Sequence, residues 1–233
     1  MKRFYKEVAV APADGGFAVL LDGRPVKTPA RNTLVLPTEE LAAAIAAEWR
    51  GQGDEIMATS MPLLRLANSV IDGVTTKRDE VVDAVMRFAD NDLLCYRAHQ
   101  PPELVARQSA GWDPWLDWAR RRHGANMTVA AGFNHVDQTP DALMALRQAA
   151  AALDPFALGA LHVIASITGS LVLALAVADG AASGAQVFHL SRIDETYQAE
   201  KWGRDAEADS RRARIIAELK AVERFALLLN DSQ

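Results

Sequence analysis

Five histidines, one cysteine and scattered carboxylates are the residues of this chain that could carry chemistry. The histidines are His99, His123, His135, His162 and His189, and no pair has the H-E-x-x-H spacing that puts two metal ligands on one helix face. Cys95 stands alone, which excludes an internal disulfide and any multi-cysteine metal site. Following Leu93 and Leu94 on an expected helix face, it reads as a small buried hydrophobe rather than a nucleophile. His162 lies in an apolar run and reads as a core histidine bonded to a neighbour. Asp90, Asn91 and Asp92 suggest a cation site but lack the glycine and distal glutamate of a calcium loop, so they read as a solvated helix end. Arg120, Arg121, Arg122 and His123 precede Gly124 and suit a helix C-terminus, where cations are favoured. Arg211, Arg212 and Arg214 read as a solvated face beside Ile215 and Ile216. No nucleophile elbow, phosphate loop or dinucleotide fingerprint occurs. No catalytic, metal or cofactor site is therefore expected; a hydrolase-like site built from Asp92, Tyr96 and His99 is the competing enzyme reading.

One constellation remains. Asp194, Glu195, Glu200, Asp205 and Glu207 surround an aromatic pair, Tyr197 and Trp202, across an expected helix junction at Gly203. It reads either as a helix corner with Trp202 tucked into the core and the acids in water, or as a recognition surface. Tryptophan and tyrosine with satisfied polar neighbours are frequent interface anchors, which is the case for recognition.

The elements that would position this corner follow from periodicity. Phe4 to Val10 is rich in β-formers, and Gly15-Gly16 marks a turn into a strand over Phe17–Leu21. Asp22-Gly23 supplies positive φ for a tight hairpin into Arg24–Thr28, with Pro25 at a sheet edge, and Thr33–Leu36 is a further short strand. Thr38 is a helix N-cap with Glu39 and Glu40 in the first turn. Leu41, Ile45 and Trp49 then form one apolar face, and Gly51 and Gly53 end the helix. From about Val74 the pattern is helical. Trp112, Trp115 and Trp118 flank Asp113-Pro114, which reads as a fresh helix start, and Thr139-Pro140-Asp141 opens another helix.

Pro155 to Ala178 contains no Asp, Glu, Lys or Arg in a chain that is 24% charged, with a net charge of −5. Asp154-Pro155 and Asp179-Gly180 bound it as helix start and exit, so it reads as one buried central helix rather than a membrane span. The mild acidity argues against a nucleic-acid partner. The N-terminus has no apolar run of a secretory signal, which makes the cytoplasm the default location. The expected fold is α+β: a small β-rich N-terminal domain with one helix over residues 1–75, then an α-helical bundle over residues 76–233.

Several short motifs run in order through nearly the whole chain. They are Arg3-Phe4-Tyr5-Lys6, Leu21-Asp22-Gly23-Arg24-Pro25 with Lys27-Thr28-Pro29, and Leu36-Pro37-Thr38. The helix from Leu41-Ala42 to Glu48-Trp49, with Gln52 and Met61-Pro62, continues the pattern. Tyr96-Arg97, Gln108 with Trp112-Asp113-Pro114, Gly169-Ser170, and Tyr197-Gln198 with Trp202-Gly203 complete it. In this order and spacing the chain resembles the F-type ATP synthase assembly chaperones that bind the α subunit of the F(1) sector, the family of mitochondrial F(1) complex assembly factor two. The resemblance implies a protein that acts without ATP hydrolysis and partners the unassembled α subunit, and the lack of an Arg/Ser-rich transit peptide suggests a bacterial, cytoplasmic member. It implies a contact through Glu200, Trp202, Asp205, Glu207 and Tyr197, with Trp49 and Trp112 packing the domains. Ala206 stands where many relatives carry Glu, leaving Asp205 and Glu207 as the neighbouring acids.

Overall fold

The computed structural model describes residues 1–132, 135–203 and 206–229. Its backbone divides into two units. The first comprises Met1–Arg78 with Pro155–Ala160 and the chain from Ala221 onward; the second comprises Asp79–Asp154 and Leu161–Lys220.

In the first unit, strand β1 (Val8–Ala13) pairs antiparallel with β2 (Gly16–Leu21), whose other edge carries both β3 (Arg24–Pro25) and β4 (Val35–Leu36). Asp22 and Gly23 adopt φ of 47° and 76°, the tight-turn geometry their types predict. Strand pairing begins later than the β-formers at Phe4 suggest, because that segment is held elsewhere. Tyr5 donates its hydroxyl to the Trp49 carbonyl at 2.6 Å, and Arg3 donates to the Gln52 carbonyl at 2.8 Å. Helix α1 (Glu39–Arg50) packs on the sheet through Leu41, Ile45 and Trp49, and the Thr38 hydroxyl caps its N-terminus by accepting from Leu41 N. Helix α2 (Pro62–Ser69) has no cap of its own at Met61. The Glu48 carboxylate reaches across from α1 and accepts from Leu63 N and Leu64 N at 2.8 and 2.9 Å. A π-helical turn follows α2 at Val70–Val74, and its Asp72 accepts from Thr28, Ala30 and Asn32, fixing the loop after β3.

The second unit holds α3 from Asp79 on (the helix spans Arg78–Asp90), α4 (Pro102–His123) and α5 (Pro140–Ala151), then α7 (Leu171–Ala178), α8 (Gly184–Leu190) and α9 (Ile193–Trp202). Helix α6 (Pro155–Thr168) and helix α10 (Ala206–Leu227) each supply residues to both units. A two-residue parallel pair, β5 (Tyr96–Arg97) with β6 (Ala130–Ala131), accompanies α4. The architecture is mixed α+β, with strands concentrated near the N-terminus, as the sequence patterning indicates.

Two expectations are corrected. Pro114 does not start a helix: α4 begins at Pro102 and runs through Pro114 to His123. Proline inside a helix costs about 3 kcal/mol. Packing offsets that cost here, since Trp112 is 1% exposed and donates its indole N–H to the Leu190 carbonyl at 2.8 Å. The uncharged run is not one helix either. Gly169 takes a left-handed φ of 70° after α6, and Ser170 then caps α7 by accepting from Leu173 N at 3.1 Å. The 14-residue α6 and 8-residue α7 are both short of the ~20 residues a span requires, and no helix among the described residues is long and apolar enough to cross a membrane. Gly159 of α6 lets Val70 come close: a β-carbon there would sit 2.5 Å from a Val70 methyl.

Candidate functional site

The corner between α9 and α10 is built on α4. Gly111 of α4 lets the Ile193 side chain of α9 come so near that a β-carbon would meet it at 2.6 Å. Gln108, 1% exposed, links three segments: its carbonyl oxygen accepts from Ala98 N at 2.8 Å, and its amide donates to Asp194 at 2.7 Å. With the Trp112–Leu190 bond, these contacts seat the N-terminal half of α9.

Ion pairs hold the C-terminal half. Arg107 donates to Glu200 at 2.6 Å and to Glu103 at 2.9 Å, while Lys201 lies 3.2 Å from the other Glu103 oxygen. Tyr197 is buried at the centre. Its hydroxyl donates to Glu103 at 3.4 Å, and the Arg107 and Lys201 cations lie 5.2 and 5.3 Å from its ring centroid. The charges support one another: the bond from Lys201 holds the Glu103 carboxyl below its ordinary range, and Glu200 and Glu103 raise Arg107 and Lys201 respectively.

The network leaves Trp202 pointing out. As the last residue of α9 it is 80% exposed, so the structure does not tuck it into the core. Gly203, with φ of 95°, ends the helix. Glu207 lies exposed in the first turn of α10, with a long 3.9 Å approach from Arg211. Asp205 lies outside the described residues. Of the five expected contact residues, Trp202 and Glu207 therefore face solvent, whereas Glu200 and Tyr197 bind within the network. Glu103, Arg107 and Lys201 were missed by sequence reasoning; the i, i+4 pair Glu103–Arg107 was the only local signal.

Trp49 is 8% exposed and packs edge-on against Tyr5 within the first unit, with ring centroids 5.5 Å apart. Trp112 makes its indole bond within the second unit, under the Arg97 guanidinium 5.1 Å away. Arg97 is itself buried and paired with Asp113 at 2.7 Å.

Asp92 corrects the expectation of a solvated helix end: it is fully buried. Its two oxygens accept from Leu94 N and Val172 N, both at 3.1 Å, so it ties the turn after α3 to the N-terminus of α7. Burial pushes its carboxyl up to about 6, against the opposing effect of bonds from Ser170, Val172, Leu94 and Leu171. The same burial pushes the thiol of Cys95 up to about 12, which suits the inert small hydrophobe expected there. Tyr96 bonds to Asn91 and faces His135 at 3.1 Å, while His99 is exposed; no hydrogen bond among the described residues joins Asp92, Tyr96 and His99. His162 is half-buried, and burial lowers its pKa. A pocket of about 390 Å³ opens by Trp112, Ser166 and Arg192. Arg192 donates to the Ile167 carbonyl and faces Glu195, so its charge is already matched.

The model of the ATP12 chaperone protein family matches residues 2–120. Protein atp12, mitochondrial, of Schizosaccharomyces pombe is 25% identical over 214 residues, covering 87% of this chain and 74% of that protein. Two solved structures from Paracoccus denitrificans, of Atp12 and of an aspartate-to-lysine mutant of Atp12p, are each 44% identical to this chain. Both superpose with a TM-score of 0.95 and with 98% of each chain covered.

Proposed function

The chain belongs to the ATP12 chaperone protein family, and on that premise we propose that it is an assembly chaperone of F-type ATP synthase that binds the unassembled α subunit of the F(1) sector. An α subunit without its β neighbours exposes surface built for burial, which is an aggregation hazard until covered. The chaperone masks that surface and yields it to β by mass action as the α/β hexamer forms. Reversible masking needs exchangeable contacts and no catalytic step.

The observation that carries this reading is Trp202, 80% exposed on a helix end held by ion pairs, with Glu207 exposed on the next helix. An isolated exposed tryptophan on a firm support is the form of an interface anchor. Trp202 with the acids Asp205 and Glu207 forms the contact in this proposal, meeting Arg and Lys on the α subunit and steering encounter. Tyr197 and Glu200 hold the corner from behind. Trp49 and Trp112 serve packing.

Co-expression with the α subunit from the same source, alone and with β, tests the reading. Soluble α that copurifies and is released on adding β is the expected result. Aggregated α with no detectable complex would refute it.

A further inference from the structure

Glu200 lies next to the exposed Trp202 but is not free to greet a partner, because its carboxylate is 2.6 Å from Arg107 of α4. Lys201, on the other side, is 3.2 Å from Glu103 of α4. The last turn of α9 is thus joined to α4 by two ion pairs, linked through the Glu103–Arg107 contact at 2.9 Å. Tyr197 sits one turn back from Lys201 and packs between both cations. Beyond this point Gly203 ends the helix.

From this geometry we infer that Glu103, Arg107, Glu200 and Lys201 form an electrostatic clamp that positions Trp202 for the partner, and that Glu200 acts through Arg107 rather than by touching the α subunit. The inference rests on the corner being the docking surface. The clamp side chains are 38–50% exposed, so salt screens them, whereas the part-buried Gln108–Asp194 and Trp112–Leu190 contacts that hold the start of α9, made by Gln108 and Trp112 that are each 1% exposed, are better sheltered. The first turn of α9 stays seated as the last turn loosens. Firm presentation matters because a side chain ordered before binding loses less freedom on docking. Recognition therefore depends on residues of α4 that lie almost a hundred positions earlier in the chain.

The test uses the full-length R107E, E200R and R107E/E200R variants, with W202A alongside. Two readouts are taken: hydrogen exchange over residues 193–202, and affinity for isolated α subunit. Each single charge reversal opposes like charges across the helices. Exchange in the last turn is expected to quicken, and affinity to fall roughly two- to fivefold, the range that exposed ion pairs support. The double variant re-forms the 107–200 pair with signs exchanged and keeps the 103–201 pair but sets a new carboxylate at position 107 beside Glu103, so both readouts recover in part, above either single variant. W202A loses affinity and exchanges like the wild type. In the wild type, about 1 M salt quickens exchange in the last turn of α9 and not in the first.

Single variants with unchanged exchange would overturn the clamp. A double variant whose exchange recovers while its affinity stays low would overturn the indirect role and place Glu200 against the partner. A wild-type protein that holds no α subunit sinks the chaperone reading instead, and the clamp is then decided by exchange alone.

Discussion

Removing the buried carboxyl of Asp92 should change the pH dependence of stability in a defined window. Its folded-state value is about 6 against an ordinary 3.8, with burial as the leading cause. The sign follows from proton counting. Below about pH 3 the group is protonated whether folded or unfolded, and its full contribution is present. Between about 4 and 6 the unfolded chain ionises while the folded chain keeps its proton, so stability falls as pH rises, and it levels off above 6. At 1.36 kcal/mol per pKa unit the loss across the window is about 3 kcal/mol. In D92N this titration disappears. The amide keeps one acceptor oxygen but turns its NH2 towards donors that the second carboxylate oxygen had served, which costs about 1–3 kcal/mol at every pH. Urea unfolding of both proteins at steps from pH 4 to 7 measures the gap between them, and titrations common to both cancel in it. Wild type is expected to be the more stable at pH 4, with the gap moving by about 2 kcal/mol in favour of D92N by pH 7. A gap constant to within about 0.5 kcal/mol would refute the argument that burial controls this group.

Three further substitutions probe the supports of the fold. Glu48→Ala strips the acceptor from Leu63 N and Leu64 N at the uncapped start of α2, and should lower the urea-derived unfolding free energy by about 1–2 kcal/mol. Gly16→Ala would drive a methyl into the Leu36 carbonyl oxygen at a φ of +152°, so β2–β4 pairing should give way. A loss of about 3 kcal/mol, read as a fall in Tm, is expected. Trp112→Phe leaves the Leu190 carbonyl without its indole donor and should cost about 1–3 kcal/mol; an unchanged urea midpoint would show that the bond contributes little to seating α8 and α9.

Where local chemistry decides, the sequence was readable. Asp22-Gly23 made its hairpin, Thr38 and Thr139 capped their helices, and Gly124 closed α4 behind its basic last turn. Each rests on backbone and side-chain preferences acting over a few residues. Pro114 misled because a local penalty of about 3 kcal/mol was outweighed by packing from α8 and α9, which no window around residue 114 contains. Asp92 misled for the same reason. Its polar neighbours Asp90 and Asn91 pointed to water, while its bonding partner Val172 lies 80 residues away.

The corner divides along the same line. Composition alone marked Tyr197, Trp202 and the acids of residues 194–207 as a group, and the order of short motifs along the chain pointed to the family, because these depend on residue type and spacing. Only the tertiary structure sorted their roles. It buried Tyr197, exposed Trp202, and turned Glu200 inward to Arg107. Which way a carboxylate faces on an amphipathic helix depends on the cation that the fold brings opposite it, and the folded chain brings that cation from α4, 93 residues away.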